Sequence, residues 1–173
     1  MKHWKKPKRR NFWHNMEPIL NKILENTYTL SQLRHRVHAL HEYLSAKLFA
    51  PQTPLQLEPG NLNWVNSLGN DFLGQFNKDN INKIFTGLDT YIRQLKPLII
   101  YAAFEPTDES NSQIGQILRK NFTNHKIFDA KIDPKLIAGC ALSLNGAYKD
   151  YSLRLKIESE KTKILESFKK FLQ

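Results

Sequence analysis

Between Met16 and Phe49 apolar residues recur at helical spacing, and the chain reads as two helices. The first carries Ile19, Leu20, Ile23 and Leu24, with Pro18 placed in its opening turn, where a missing N–H costs nothing. The second starts near the capping residues Thr29 to Ser31 and carries Leu33, Val37, Leu40, Leu44 and Leu48 on one stripe. Pro51, Pro54, Pro59 and Gly60 then mark a helix-free connector over Ala50 to Gly60. Helical signal resumes in two short segments, one with Leu62, Val65 and Leu68 and one with Phe72, Leu73 and Phe76. A longer segment follows from an N-cap at Asp79 to Lys96, presenting Ile81, Ile84, Phe85, Leu88 and Ile92.

At Pro97 the period changes. Leu98 to Ala103 suits a buried strand, and Thr107 caps a helix whose inner face is Ile114, Ile117, Leu118 and Phe122. Lys126 to Ile132 alternates, with Phe128, Ala130 and Ile132 inward. From Ala138 to Leu144 the residues Cys140, Leu142 and Leu144 share one side of a strand. Asn145-Gly146 reverses the chain, because a type I′ turn needs positive φ at two positions that these residues tolerate best. The return strand is Ala147 to Tyr151. Ser152 caps a last helix with Leu153, Ile157, Ile164, Phe168 and Phe171 as its inner face. The fold class expected is α+β: a basic arm over 1–15, a helical bundle over 16–96 and a small α/β domain over 97–173.

The net charge of +10 would suggest a nucleic-acid partner if it covered a domain face. It does not. Of 26 Lys and Arg, Lys2, Lys5, Lys6, Lys8, Arg9 and Arg10 lie in the arm, which leaves 20 against 16 acids, a balance of +4. The arm also holds Trp4, Phe12 and Trp13, so it suits phosphate attraction with stacking, an anionic lipid surface or an acidic protein. No run approaches the roughly 18 apolar residues of a membrane span, and no apolar stretch follows the N-terminal charges as a secretory signal would require.

Catalytic patterns are missing from the sequence. There is no Gly-rich phosphate loop, paired cysteine, HExxH or G-x-S-x-G. Cys140 reads as a small core residue. His35, His38 and His41 stand three residues apart, so the outer two are about 120° apart around one helix and do not converge on a metal. Asp108 and Glu109 suit a helix N-terminus. Residue chemistry therefore describes a binding or scaffold protein, with no catalytic role, cofactor or metal called for.

The stretch Asp133-Pro134-x-Leu136-Ile137-x-Gly139, followed by a strand, a tight turn and Asp150-x-Ser152-x-Arg154-x-Lys156, resembles the C-terminal signature of the F-type ATP synthase delta subunit. The mitochondrial counterpart is the oligomycin-sensitivity-conferring protein. This chain departs from the family pattern at Lys156, where Arg is usual, and at Tyr151 and Ala138, where Gly is usual or frequent. The resemblance covers residues 97–173, and for 16–96 it is architectural only.

It implies a non-catalytic stator subunit that links the alpha subunits of the catalytic head to the b-type peripheral stalk. It also implies a place at the membrane periphery, on the cytoplasmic side of a bacterial membrane or the matrix or stroma side of an organellar one. On that reading Ile19, Ile23, Leu33, Val37 and Leu40 are the candidates to stay exposed for an alpha-subunit N-terminal helix, and the signature residues are the candidates for the stalk contact. The alternative from a different class is an RNA-associated module that uses the arm and the helical domain.

Overall fold

The computed structural model describes residues 9–52, 54, 57–122 and 126–172, with side chains from Met16 onward. Among them are seven α-helices and a four-stranded mixed sheet: α1 (Arg9–Leu24), α2 (Leu30–Phe49), α3 (Pro59–Ser67), α4 (Asn70–Leu73), α5 (Ile81–Gln94), β1 (Leu98–Ala102), α6 (Asp108–Asn121), β2 (Phe128–Ile132), β3 (Cys140–Leu144), β4 (Ala147–Asp150) and α7 (Leu153–Phe171). The class is α+β, helices first and an α/β part after. The chain divides into two compact units, one comprising the residues up to Thr27 together with Ser31–Leu95, the other comprising Tyr28–Leu30 and everything from Lys96.

In the helical unit the apolar stripes do what their spacing dictates. Ile23, Leu33, Leu40, Leu44, Val65, Ile81 and Leu88 are fully or almost fully buried, each contributing about 1.5–3 kcal/mol relative to exposure. Three details differ from the sequence reading. Helix α1 begins at Arg9, so residues 9–15 of the expected arm have helical backbone, and Pro18 lies inside the helix rather than in its first turn. Residues 1–8 of the arm lie outside the described residues. Helix α5 starts at Ile81 with Asn80 as cap position, because Asn77 and Asn80 bond each other's backbone and leave Asp79 outside the helix start.

In the second unit the strand order is β2-β1-β3-β4. Strands β1 and β2 are parallel, with Leu98 opposite Phe128 and Ala102 opposite Ile132, which the crossover helix α6 makes possible. Strands β3 and β4 form the antiparallel hairpin, where Asn145 at φ 50° and Gly146 at φ 86° make the expected turn. The core is Leu98, Ile100, Leu118 and Phe128, packed with Ile114, Ala130, Cys140, Leu142 and Leu144. Cys140 is thus a half-buried packing residue.

Tyr28 completes this core from the segment between α1 and α2. The Phe128 N–H donates to the Tyr28 carbonyl at 3.0 Å, and Thr29 forms a parallel bridge with Phe128 on the outer edge of β2. The Tyr28 ring occupies the space a Cβ at Gly115 would fill, 2.2 Å from it, and the Arg119 guanidinium lies 4.6 Å over the ring. Burial of that guanidinium pushes its pKa down. Ile117, Phe122 and Ile132, expected to face inward, are exposed instead. A four-stranded sheet with strands of four or five residues covers only the strip of α6 that carries Ile114 and Leu118.

Candidate partner-binding surfaces

The signature residues come together where the last helix leaves the sheet, and most of them are builders. Asp133 accepts from the Lys135 N–H at 3.0 Å and opens a single 3-10 turn, Pro134–Leu136, that buries Leu136 completely. Gly139 has φ 81°, and a Cβ there would stand 2.7 Å from the Tyr151 carbonyl oxygen, so a side chain is excluded twice over. The Tyr151 N–H donates to Cys140, and the Leu153 N–H to Ala138, tying the start of α7 to β3.

Ser152 is buried and caps α7, accepting from the Leu155 N–H at 3.3 Å. The Asp150 carboxylate accepts from the Ser152 N–H at 2.8 Å and from Arg154 Nη2 at 3.0 Å. Hydrogen bonds from the Ser152 side chain and then its backbone, with Arg154 adding to them, hold Asp150 below the usual carboxylate range. Lys156, one turn further on, is exposed. Ile137 differs from its neighbours, being an exposed side chain on a residue with φ 67°.

The helix these residues launch is not packed as its stripe suggested. No residue of α7 is buried, and Phe168 is 62% exposed. At 100° per residue, Leu153, Ile157, Ile164, Phe168 and Phe171 fall within an arc of about 60° along a helix about 28 Å long. The expected inner face of α7 is therefore an exposed apolar stripe. Among the described residues the element that α7 meets most closely is the short turn Pro134–Leu136, which anchors its start.

The helical unit reverses the other expectation. Ile19, Ile23, Leu33, Val37 and Leu40 are all buried, because the stripes of α1 and α2 are spent on the unit's own core. They do not form an exposed seam. What this unit offers to solvent is a cleft of about 470 Å³ between α2 and α5, lined by Arg34, His38 and His41 from one helix and Asn82, Asp89 and Arg93 from the other, with Val37, Phe85 and Ile92 as its floor. The three histidines have separate partners: His35 meets Asn61 at 2.9 Å, His38 meets Glu42 at 3.3 Å, and His41 packs at a tilt against Phe85 with ring centroids 4.5 Å apart. The cleft was legible only in part, since helical spacing places 34, 37, 38 and 41 on one face but does not say which helix lies opposite.

The α/β unit thus presents an amphipathic helix with its apolar stripe exposed, and a helical unit precedes it in the chain. Among the described residues no helix is long and apolar enough to cross a membrane. Residues 79–164 match the family model of the ATP synthase delta (OSCP) subunit, so over this stretch, from the start of α5 to the middle of α7, the chain belongs to that family. At family level this is a structural, peripheral-stalk subunit of the ATP synthase. No curated protein matches the chain.

Proposed function

We propose that the protein links the catalytic head of a rotary F-type ATP synthase to its b-type peripheral stalk and resists rotation of the head, without catalysing a reaction itself. The observation that carries this reading is α7, a 19-residue helix inside and just beyond the family match whose apolar stripe is left exposed by the described residues. A second amphipathic helix laid along that stripe would bury both apolar faces, which is the helix-in-groove mode of recognition. Arg154, Lys156, Lys161 and Lys163 flank it and would steer an acidic stalk helix, accelerating encounter more than tightening the complex.

The helical unit is assigned the alpha-subunit N-terminal segments. With the stripes of α1 and α2 buried, the α2–α5 cleft is the surface proposed for them. Through these partners the protein sits at the periphery of the energy-coupling membrane, on the cytoplasmic side in a bacterium or the matrix or stroma side in an organelle.

The test is a binding titration of the full chain with the soluble part of its own stalk subunit and, separately, with the N-terminal peptide of its own alpha subunit. Saturable binding of both, with stalk-induced chemical shifts confined to residues 130–172, is the expected result. No stalk binding at about 100 μM, a concentration at which even weak specific contacts register, would remove the reading.

A further inference from the structure

Ile137 occupies a conformation the fold has no need to give an isoleucine. The Ala138 N–H donates to the Leu136 carbonyl at 2.8 Å, closing a three-residue turn around Ile137 at φ 67° and ψ −55°. That is the rare and strained form of the γ-turn, and a β-branched residue at positive φ is a genuine outlier. The strain secures no burial, for Leu136 beside it is fully buried while Ile137 is 58% exposed. Glycine, which stands two positions on at Gly139, would take the same backbone without cost. A strained residue that contributes nothing to its own core points to a use outside the chain.

Ile137 stands at the tip of the sheet, where other apolar residues are exposed as well. Parallel β1 and β2 end side by side at Ala102 and Ile132, joined there by the Asp133 N–H donating to the Ala102 carbonyl at 2.8 Å. Ile132 is 55% exposed, and Phe104, two residues past the end of β1, is 70% exposed. The Leu153 N–H bonds the Ala138 carbonyl, so the tip runs into the α7 stripe at Leu153. We infer that Ile137 is the anchor residue of the stalk contact, a knob that fixes where along α7 a partner helix stops.

This rests on the stalk reading above and adds the residue that sets its register. The occupant is an amphipathic helix with acidic flanks. Helix α7 holds six basic residues against three acidic ones, so a second copy of the chain would bring like charges together whereas an acidic helix would be attracted.

The experiment compares the full-length wild type with Ile137→Gly and Ile137→Leu, measuring melting temperature and titrating each with the soluble part of the cognate stalk subunit. The expected result is a Kd at least tenfold weaker for Ile137→Gly, with an unchanged or higher melting temperature, and recovery of much of the affinity in Ile137→Leu. Equal affinity of wild type and Ile137→Gly would overturn the inference while leaving the stalk reading intact. A loss of affinity accompanied by a lower melting temperature would also overturn it, by making Ile137 a structural residue. Wild-type self-association abolished by Ile137→Gly would make a second copy the occupant and overturn it too. If the wild type binds no stalk subunit, the stalk reading fails and the inference falls with it.

Discussion

Two single residues govern how the second unit closes on itself. Gly115 is glycine because the Tyr28 ring lies where its side chain would be. Gly115→Val should therefore cost about 1–3 kcal/mol of overpacking, read as a melting temperature lower by 2–4 °C per kcal/mol for a chain of this size. Introduced into a Tyr28→Ala background, the same substitution should cost much less than it does beside the tyrosine, since the two sites share one space.

Asp150 makes a pH-dependent contribution whose sign follows from its depressed pKa. The stabilisation is present above the carboxylate's unfolded value, near pH 4, and is lost as pH falls through the lower folded value. Urea midpoints of wild type and Asp150→Asn should differ at pH 6, and the difference should shrink as the pH falls below the unfolded carboxylate's range. A difference that persists unchanged at the acid end would show that Asp150 acts by something other than its charge.

At the scale of elements, α7 is decisive. Had its stripe been buried, Phe168→Asp would place an unpaired carboxylate in a core, at a cost of several kcal/mol. With Phe168 exposed and no buried residue in the helix, the same substitution should leave the melting temperature within about 1 °C of wild type, as surface changes usually do. It should weaken stalk binding strongly, because the charge then enters the proposed contact. A large loss of stability would mean that α7 packs on its own unit in solution.

For the whole molecule, connectivity matters as much as charge. The chain enters the second unit at Tyr28–Leu30, returns to the helical unit, and comes back for good at Lys96. A fragment starting at Lys96 lacks the Tyr28 ring beside Gly115 and the Thr29 bridge at the edge of β2, so it should melt below the same unit in the full chain. Calorimetry of the two proteins checks this. The basic arm should be dispensable for the stalk contact: removing residues 1–8 should leave stalk affinity unchanged, whereas an RNA-binding role for the arm would show as binding that is lost on deletion and falls steeply with salt.

Local rules carried the sequence reading a long way. Asn145-Gly146 demanded its turn, Thr107 and Ser152 accepted the N–H groups of the helices they cap, and the periods of 3.6 and 2 separated the helical part from the α/β part, because each of these depends on neighbours within a few residues. Periodicity also found every apolar stripe. It could not say what each stripe meets, since a stripe that lines a core and one that awaits a partner have the same spacing. Only the tertiary structure decided that Ile19, Ile23, Leu33, Val37 and Leu40 are spent inside the helical unit while Leu153, Ile157, Ile164, Phe168 and Phe171 remain uncovered. The same holds for Tyr28 beside Gly115, 87 positions along the chain, a contact with no local signature because it is made by chain closure rather than by neighbours.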